Sequence, residues 1–321
     1  MTRQAPFCSP WWLPGGHAQT IAPLTRKGPL PSYERERIDT PDGDFIDLDW
    51  LSGPATDAPL VALFHGLEGS SGSHYARSLM HALQSAGWRG VVPHFRGCSG
   101  EANRLARAYH SGDTDEIDWI LRHLHRAAGT APLFAVGVSL GGNALLKWMG
   151  EREQGSRELL TGAAAVCPPL DLSISGTALG RGFNRVYSMH FLQTLKRKAL
   201  EKAERHPGLF DPQAVRSARS LRDFDDAYTG PMHGFSGVED YWRRASSKPW
   251  LGAIRTPTLL VCAANDPFVP PAALPGRHEL SAHVAFECPS AGGHVGFMSG
   301  RWPGNIAWLP HRLLAHFGHL R

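Results

Sequence analysis

The sequence predicts an α/β protein built on a mostly parallel, eight-stranded sheet, with helices on both faces and a helical insertion late in the chain. Three observations carry this. Between residues 59 and 167 short apolar runs alternate with amphipathic segments of helical length, the pattern of repeated strand–helix–strand units. Before them, Tyr33 to Asp39 and Phe45 to Leu51 flank Pro41-Asp-Gly43, a hairpin signal that supplies two antiparallel strands. After them, no convincing strand occurs until Thr258, an interval too long for an unstructured loop in a compact domain.

The elements follow in order. Residues 1–32 are rich in proline and glycine without a period, and read as an extended arm packed on the domain through Phe7, Trp11 and Trp12. The hairpin leads to a strand over 59–65, a helix over 73–86, a strand over 88–95, a helix over 113–127, a strand over 131–138, a helix over 140–152 and a strand over 161–167. In the helix over 113–127, Asp113 and Glu116 form a capping pair, and Ile117, Ile120, Leu121 and Leu124 share one face. Past Cys167-Pro-Pro-Leu170, the interval should fold as a helical cap. Within it Phe183, Val186, Tyr187, His190, Phe191 and Leu195 recur at helical spacing, a face expected to pack the cap onto the core. A functional use of the same face is to line a binding pocket or to make weak interfacial contact with lipid beside Lys196, Arg197 and Lys198. Strands at Thr258 to Cys262 and His283 to Cys288 complete the sheet. The expected division is an arm at 1–32, a core at 33–167 and 252–321, and a cap at 168–251.

Composition narrows the classes. Of 321 residues, 42% are hydrophobic and 19% charged, which suits a folded core and not a disordered chain. A net charge of +4, with basic residues scattered apart from Leu195-Lys-Arg-Lys198, leaves no nucleic-acid footprint, and that run reads as a solvated helix face. Cys8, Cys98, Cys167, Cys262 and Cys288 form no CxxC pair and read as reduced thiols. Neither a signal-peptide core nor a membrane span is evident, so a cytoplasmic protein is expected. The histidines show no metal-binding spacing, and no metal or cofactor is expected.

The chemistry is concentrated in four loops. Gly137-Val138-Ser139-Leu140-Gly141 joins an apolar strand to a helix, the sharp turn that exposes a nucleophilic serine, with small residues where larger ones would collide. A serine hydroxyl needs an imidazole to take its proton and a carboxylate to orient that imidazole. His294, in Gly292-Gly-His-Val-Gly296, and Asp266, in Ala264-Asn-Asp-Pro-Phe268, both follow predicted strands and fill those roles. Asp171 is the alternative acid. His65-Gly66-Leu67-Glu68-Gly69 follows the strand over 59–65, and its small residues let backbone amides face a substrate carbonyl. The Leu67 and Leu140 N–H groups are the expected oxyanion donors, with His65 propping the loop. Arg96 is expected to tie down its own loop through carbonyl bonds, and Cys98 and His110 receive no catalytic part.

The chain order Ser139, Asp266, His294 is that of α/β hydrolases. Together with Trp12-Leu-Pro-Gly-Gly-His-Ala-Gln-Thr-Ile21, Phe95-Arg-Gly-Cys-Ser-Gly-Glu101, Tyr109-His-Ser-Gly112 and the segment 226–241, these motifs make the chain resemble the YheT-like branch of α/β hydrolases, the AB hydrolase 4 family. The resemblance implies that Ser139, Asp266 and His294 form a triad cleaving carboxylic esters, either short- or medium-chain acyl esters or monoacylglycerol-like lipids. Its eukaryotic members act on monoacylglycerols and phospholipids and are membrane-anchored, whereas this chain shows no span. Asn265 departs from the family, where many members carry a second aspartate. Thioesterase, amidase or acyltransferase chemistry would use the same triad, and a non-catalytic binding protein on this scaffold is the reading of a different class.

Overall fold

The computed structural model describes residues 6–26, 28–53 and 55–320. Its strands are β1 Tyr33–Asp39, β2 Phe45–Leu51, β3 Leu60–Phe64, β4 Arg89–Pro93, β5 Leu133–Val138, β6 Gly162–Val166, β7 Thr258–Val261 and β8 Val284–Glu287. They form one eight-stranded sheet in the order β1-β2-β4-β3-β5-β6-β7-β8. The β1–β2 and β2–β4 pairs are antiparallel and the remaining pairs parallel.

Helices α1 Gly16–Ile21, α2 His74–Ser85, α3 Thr114–Ala128 and α4 Leu140–Arg152 lie before β6 in sequence. Between β6 and β7 come α5 Leu172–Leu179, α6 Asn184–Arg205, α7 Pro212–Ser217, α8 Leu221–Phe224, α9 Gly230–Met232 and α10 Val238–Ala245. A π-helical turn at Asp225–Thr229 joins α8 to α9, and α11 Trp308–Gly318 follows the last strand. The helical insertion expected after β6 is therefore present.

Central strands are apolar on both faces because helices cover both. Leu60, Ala62, Phe64, Leu133 and Ala135 face the layer containing Ile117 and Leu121 of α3 and Leu145 and Met149 of α4. Their alternating neighbours Val61, Leu63, Phe134 and Val136 face Leu79 and Leu83 of α2 and Leu313 and Phe317 of α11. The period-two alternation of the strands thus sorts one apolar run into two cores. The parallel strands point their C-terminal ends to one edge, where the loops after β3, β5, β7 and β8 gather.

Six expectations are corrected, four in the arm and core and two in the cap. The arm is not merely extended, since it contains α1. Phe7 packs edge-on against Phe297 and Trp308, and Trp12 packs against Trp302 and donates to the Gly300 carbonyl. Trp11 is no anchor: it sits at the corner of a turn closed by the Leu13 N–H on the Pro10 carbonyl and is 91% exposed. Capping of α3 is one-sided, because Asp113 accepts from the Glu116 N–H while the Glu116 carboxylate turns to Arg96 at 2.5 Å. Arg96 itself binds carboxylates, not carbonyls: Asp42 and Asp44 of the hairpin turn join Glu116 around its buried guanidinium. Charge-assisted bonds are stronger than bonds to neutral carbonyls, which explains both changes.

The cap face also divides. Phe191, Leu192 and Leu195 join Val215, Leu221, Phe224 and Tyr228 in a core of the insertion itself. Phe183 and Val186 instead remain 52% and 55% exposed, because the start of α6 overhangs the loop after β7. Nor is the Lys196–Lys198 run simply solvated. Lys196 donates to the Arg216 carbonyl, Arg197 pairs with Glu201, and Lys198 pairs with Glu68 of the core at 2.8 Å. One turn on, the buried Lys202 ammonium donates to Asn103 Oδ1 at 2.7 Å and to the Leu105, Ala106 and Arg107 carbonyls. Burial pushes its pKa down to about 8.

Candidate active site

Ser139 stands between β5 and α4 with φ of 52° and ψ of −119°, a conformation that a side-chain-bearing residue adopts only under constraint. Two close approaches impose it. A Cβ on Gly141 would lie 2.4 Å from the Phe64 carbonyl oxygen, and one on Gly137 would lie 2.6 Å from that of Gly141. Small residues here let α4 start directly against β3, which brings Ser139 beside the loop that leaves that strand.

The other two chain-distant loops converge on the serine. His294 Nε2 lies 3.0 Å from Ser139 Oγ, and His294 Nδ1 lies 2.9 Å from Asp266 Oδ2. Asp266 is acceptor-only when ionised, so Nδ1 carries the proton and Nε2 presents its lone pair to the hydroxyl. The carboxylate is buried, and its other oxygen accepts from the Phe268 and Val269 N–H groups. Phe268 stacks on the imidazole at 4.2 Å between ring centres. Asp171, the alternative acid, instead caps α5 by accepting from the Ile174 N–H.

On the facing side, a Cβ on Gly66 would come within 3.2 Å of Ser139 Cβ, so the 66–69 loop runs against the serine. Neither the Leu67 nor the Leu140 N–H has an acceptor among the described residues. His65 is buried, bonds the Gly66 carbonyl through Nδ1 and accepts from the Phe95 N–H through Nε2. Burial pushes its pKa down to about 3, so the ring is neutral and serves as a prop.

The residues that brace the histidine loop carry no mark of that role in the sequence. Gln19 and Thr20 of α1 are two of them: Gln19 Oε1 accepts from the Gly292 N–H at 2.7 Å, and Thr20 Oγ1 accepts from the His294 N–H at 2.8 Å. Asn265 is part of the same brace. Its Oδ1 accepts from the Gly293 N–H, and its Nδ2 donates to Gln19 Oε1 at 3.1 Å. An aspartate there would set acceptor against acceptor, because the Gln19 amide nitrogen is already committed to Ser9 Oγ and the Leu13 carbonyl. Cys167 supports the loop from beneath, accepting from the Val295 N–H, and burial keeps it a thiol by raising it well above the usual range. A second unassigned group is Asn143, fully buried one turn into α4, which ties that helix to the 111 loop and to the end of the cap.

Beside the Asp266 loop an open cleft of about 700 Å³ lies between α5 and the start of α6. Ile174, Phe183, Pro267 and Pro270 give it apolar walls, with Arg181 also lining it.

The fold and these loops define an α/β hydrolase, and the chain belongs to that family: the family model described as alpha/beta hydrolase fold matches residues 59–301. Within the family the YheT-like resemblance is borne out. "Putative esterase YheT" of Escherichia coli is 40% identical over 302 residues, covering 92% of this chain and 88% of that protein. Phospholipase ABHD3 of Homo sapiens is 31% identical over 311 residues, covering 93% and 75%. Among solved structures, mouse alpha/beta hydrolase domain-containing protein 10 matches with a TM-score of 0.57 at 14% identity, over 90% of this chain and 100% of its own. Est1E from Butyrivibrio proteoclasticus matches at 0.58 and 13% identity, over 89% and 98%. These structural likenesses show the fold alone. Among the described residues no helix is long and apolar enough to cross a membrane.

Proposed function

We propose that this protein hydrolyses carboxylic esters through an acyl-enzyme on Ser139. His294 Nε2 takes the hydroxyl proton as Oγ attacks the ester carbonyl, and Asp266 stabilises the imidazolium that forms. The carbonyl oxygen, now anionic, receives the Leu67 and Leu140 N–H groups. Collapse expels the alcohol, which takes the proton from His294. Water then repeats the sequence at the acyl-serine and releases the acid.

The observation that carries this reading is the unbroken line from Asp266 through His294 to Ser139, at 2.9 and 3.0 Å, next to two backbone N–H groups, Leu67 and Leu140, that have no acceptor among the described residues. The relatives named as an esterase and a phospholipase support an ester of an acyl or lipid type. The cleft beside the Asp266 loop, walled by Ile174, Phe183, Pro267 and Pro270 but also by His17, Thr177, Arg181 and Asn184, supports a substrate with both apolar and polar parts. A cytoplasmic setting is supported by five cysteines of which none is paired.

The test is hydrolysis of p-nitrophenyl esters from acetyl to palmitoyl by the wild type and by Ser139→Ala, with fluorophosphonate labelling alongside. Turnover should fall by at least ~10⁴-fold in the variant. Stoichiometric labelling of Ser139 without turnover of any ester would move the reading to thioester or acyl-transfer chemistry, and absence of labelling in folded protein would leave a binding protein.

A further inference from the structure

Three of the four amides in the 66–69 loop are already used. The Gly66 N–H donates to the Tyr75 hydroxyl, the Glu68 N–H to the Tyr109 hydroxyl and the Gly69 N–H to the Gly66 carbonyl, each at 2.9 Å. The Leu67 N–H alone has no acceptor among the described residues. Holding it so requires Glu68 in the left-handed region, at a φ of 55°, which glycine would adopt freely and glutamate does not.

The Glu68 side chain explains why a glutamate tolerates this. Its carboxylate is nearly buried and is held from two sides. Tyr109 returns its hydroxyl proton to Oε1 at 2.8 Å, so one phenol grips both the backbone and the side chain of Glu68. Lys198 of α6 bonds Oε2 at 2.8 Å and also lies 3.6 Å from Cys98 Sγ. Tyr109 is fixed in turn, since its ring lies parallel to Phe95, 7° between planes. Lys202, one turn beyond Lys198, clamps the 105–107 carbonyls that lead into Tyr109. One face of a cap helix therefore holds both grips on Glu68.

We propose that Tyr109 and Lys198 are positioning residues that act through Glu68 to aim the Leu67 N–H, so that the docking of α6 on the core sets how firmly the oxyanion is held. This rests on the reading of Leu67 as an oxyanion donor. Neither residue touches the substrate. Their removal should lower kcat while KM stays, because the loop is misaimed only for the charge that develops in the transition state.

The experiment compares full-length wild type, Tyr109→Phe, Lys198→Met, Lys198→Arg and the double variant Tyr109→Phe/Lys198→Met on the preferred p-nitrophenyl ester. Binding of a trifluoromethyl ketone, whose serine adduct carries the oxyanion, is measured in parallel. Each single removal should lower kcat and ketone affinity together by about tenfold, short of the 10²–10³-fold that follows outright loss of an oxyanion donor. Lys198→Arg should restore both to within about twofold of wild type. Because both residues act through the single residue Glu68, the double variant should lose little more than the worse single one. Unchanged kcat, a rise in KM alone, or losses that multiply in the double variant would overturn the inference. Should Tyr109→Phe fold poorly by thermal unfolding, the Lys198→Met loss and its Lys198→Arg rescue decide. Wild-type protein lacking Ser139-dependent turnover and labelling would remove the underlying reading, whereas an active wild type with indifferent variants removes only the positioning role.

Discussion

Replacing Asn143 with alanine should destabilise the protein more than any comparably small change in its core. The side-chain amide donates to the Ser111 carbonyl at 2.9 Å and to the Ala245 carbonyl at 2.8 Å, and its oxygen accepts from the Ser247 N–H at 2.9 Å. Truncation strips these three buried backbone groups of their partner at once. Each unpaired buried group costs about 1–3 kcal/mol, and partial relaxation brings the sum to roughly 4 kcal/mol. The groups belong to the loop before α3 and to the point where the chain leaves α10, so the loss falls on the joint between cap and core. With a urea slope of about 3 kcal/mol/M for a chain of this size, the unfolding midpoint should drop by roughly 1 M. Tryptophan fluorescence across a urea gradient measures it. A shift below about 0.3 M, or 1 kcal/mol at that slope, would mean that water or local rearrangement replaces the amide and that the joint does not depend on it.

Two further outcomes follow from the same geometry. A Cβ on Gly296 would sit 2.0 Å from the Gln19 carbonyl oxygen and 2.7 Å from that of Gly292, so Gly296→Ala must push α1 and the histidine loop apart. Fluorophosphonate labelling of Ser139 should slow by at least about tenfold, since misplacement of a reacting group by an ångström costs more than that; labelling at the wild-type rate would show that α1 does not brace His294. The second outcome concerns pH. Burial pushes His65, His110 and His233 down to about 3, about 4 and about 3. The unfolded chain protonates these rings near about pH 6.5 and the fold does not, so stability present above that value is lost as the pH falls toward the folded values, about 2 kcal/mol per ring by about pH 5. Glu116 and Asp225, which burial raises to about 7 and about 6, bind protons earlier in the fold than in the unfolded chain and offset part of the loss. The urea midpoint should therefore be lower at about pH 5 than at about pH 7.5, and a flat or rising midpoint would refute the neutral buried rings.

What the sequence made legible was local. The elbow around Ser139 declares itself within a dozen residues, the hairpin around Pro41-Asp-Gly43 within about twenty, and each strand and helix of the alternation from 59 to 167 within its own short run, and the strands they predict fall within a few residues of β1 to β6. The sites of Asp266 and His294 were legible because strand ends and flanking turn residues mark them. Contacts between distant segments carried no such mark. Nothing around Arg96 says that its partners lie in the hairpin turn some fifty residues earlier. Trp11 and Trp12 are chemically alike, and only the turn at Pro10 to Leu13 decides which one packs. Gln19 and Thr20 sit in a proline- and glycine-rich stretch without periodicity, so their roles could be found only once the histidine loop had a place.

The brace at Gln19 and Thr20 has a consequence for how the protein is made. Gln19 and its partner Gly292 are 273 residues apart in the chain. At about 5–20 residues per second of synthesis, α1 waits some 15–55 s on the ribosome before the loop it holds exists. The arm and the histidine loop therefore dock only once nearly the whole chain has been made, and a chain that stops short of the 292–296 loop leaves Gln19 and Thr20 without the N–H groups they accept from in the fold.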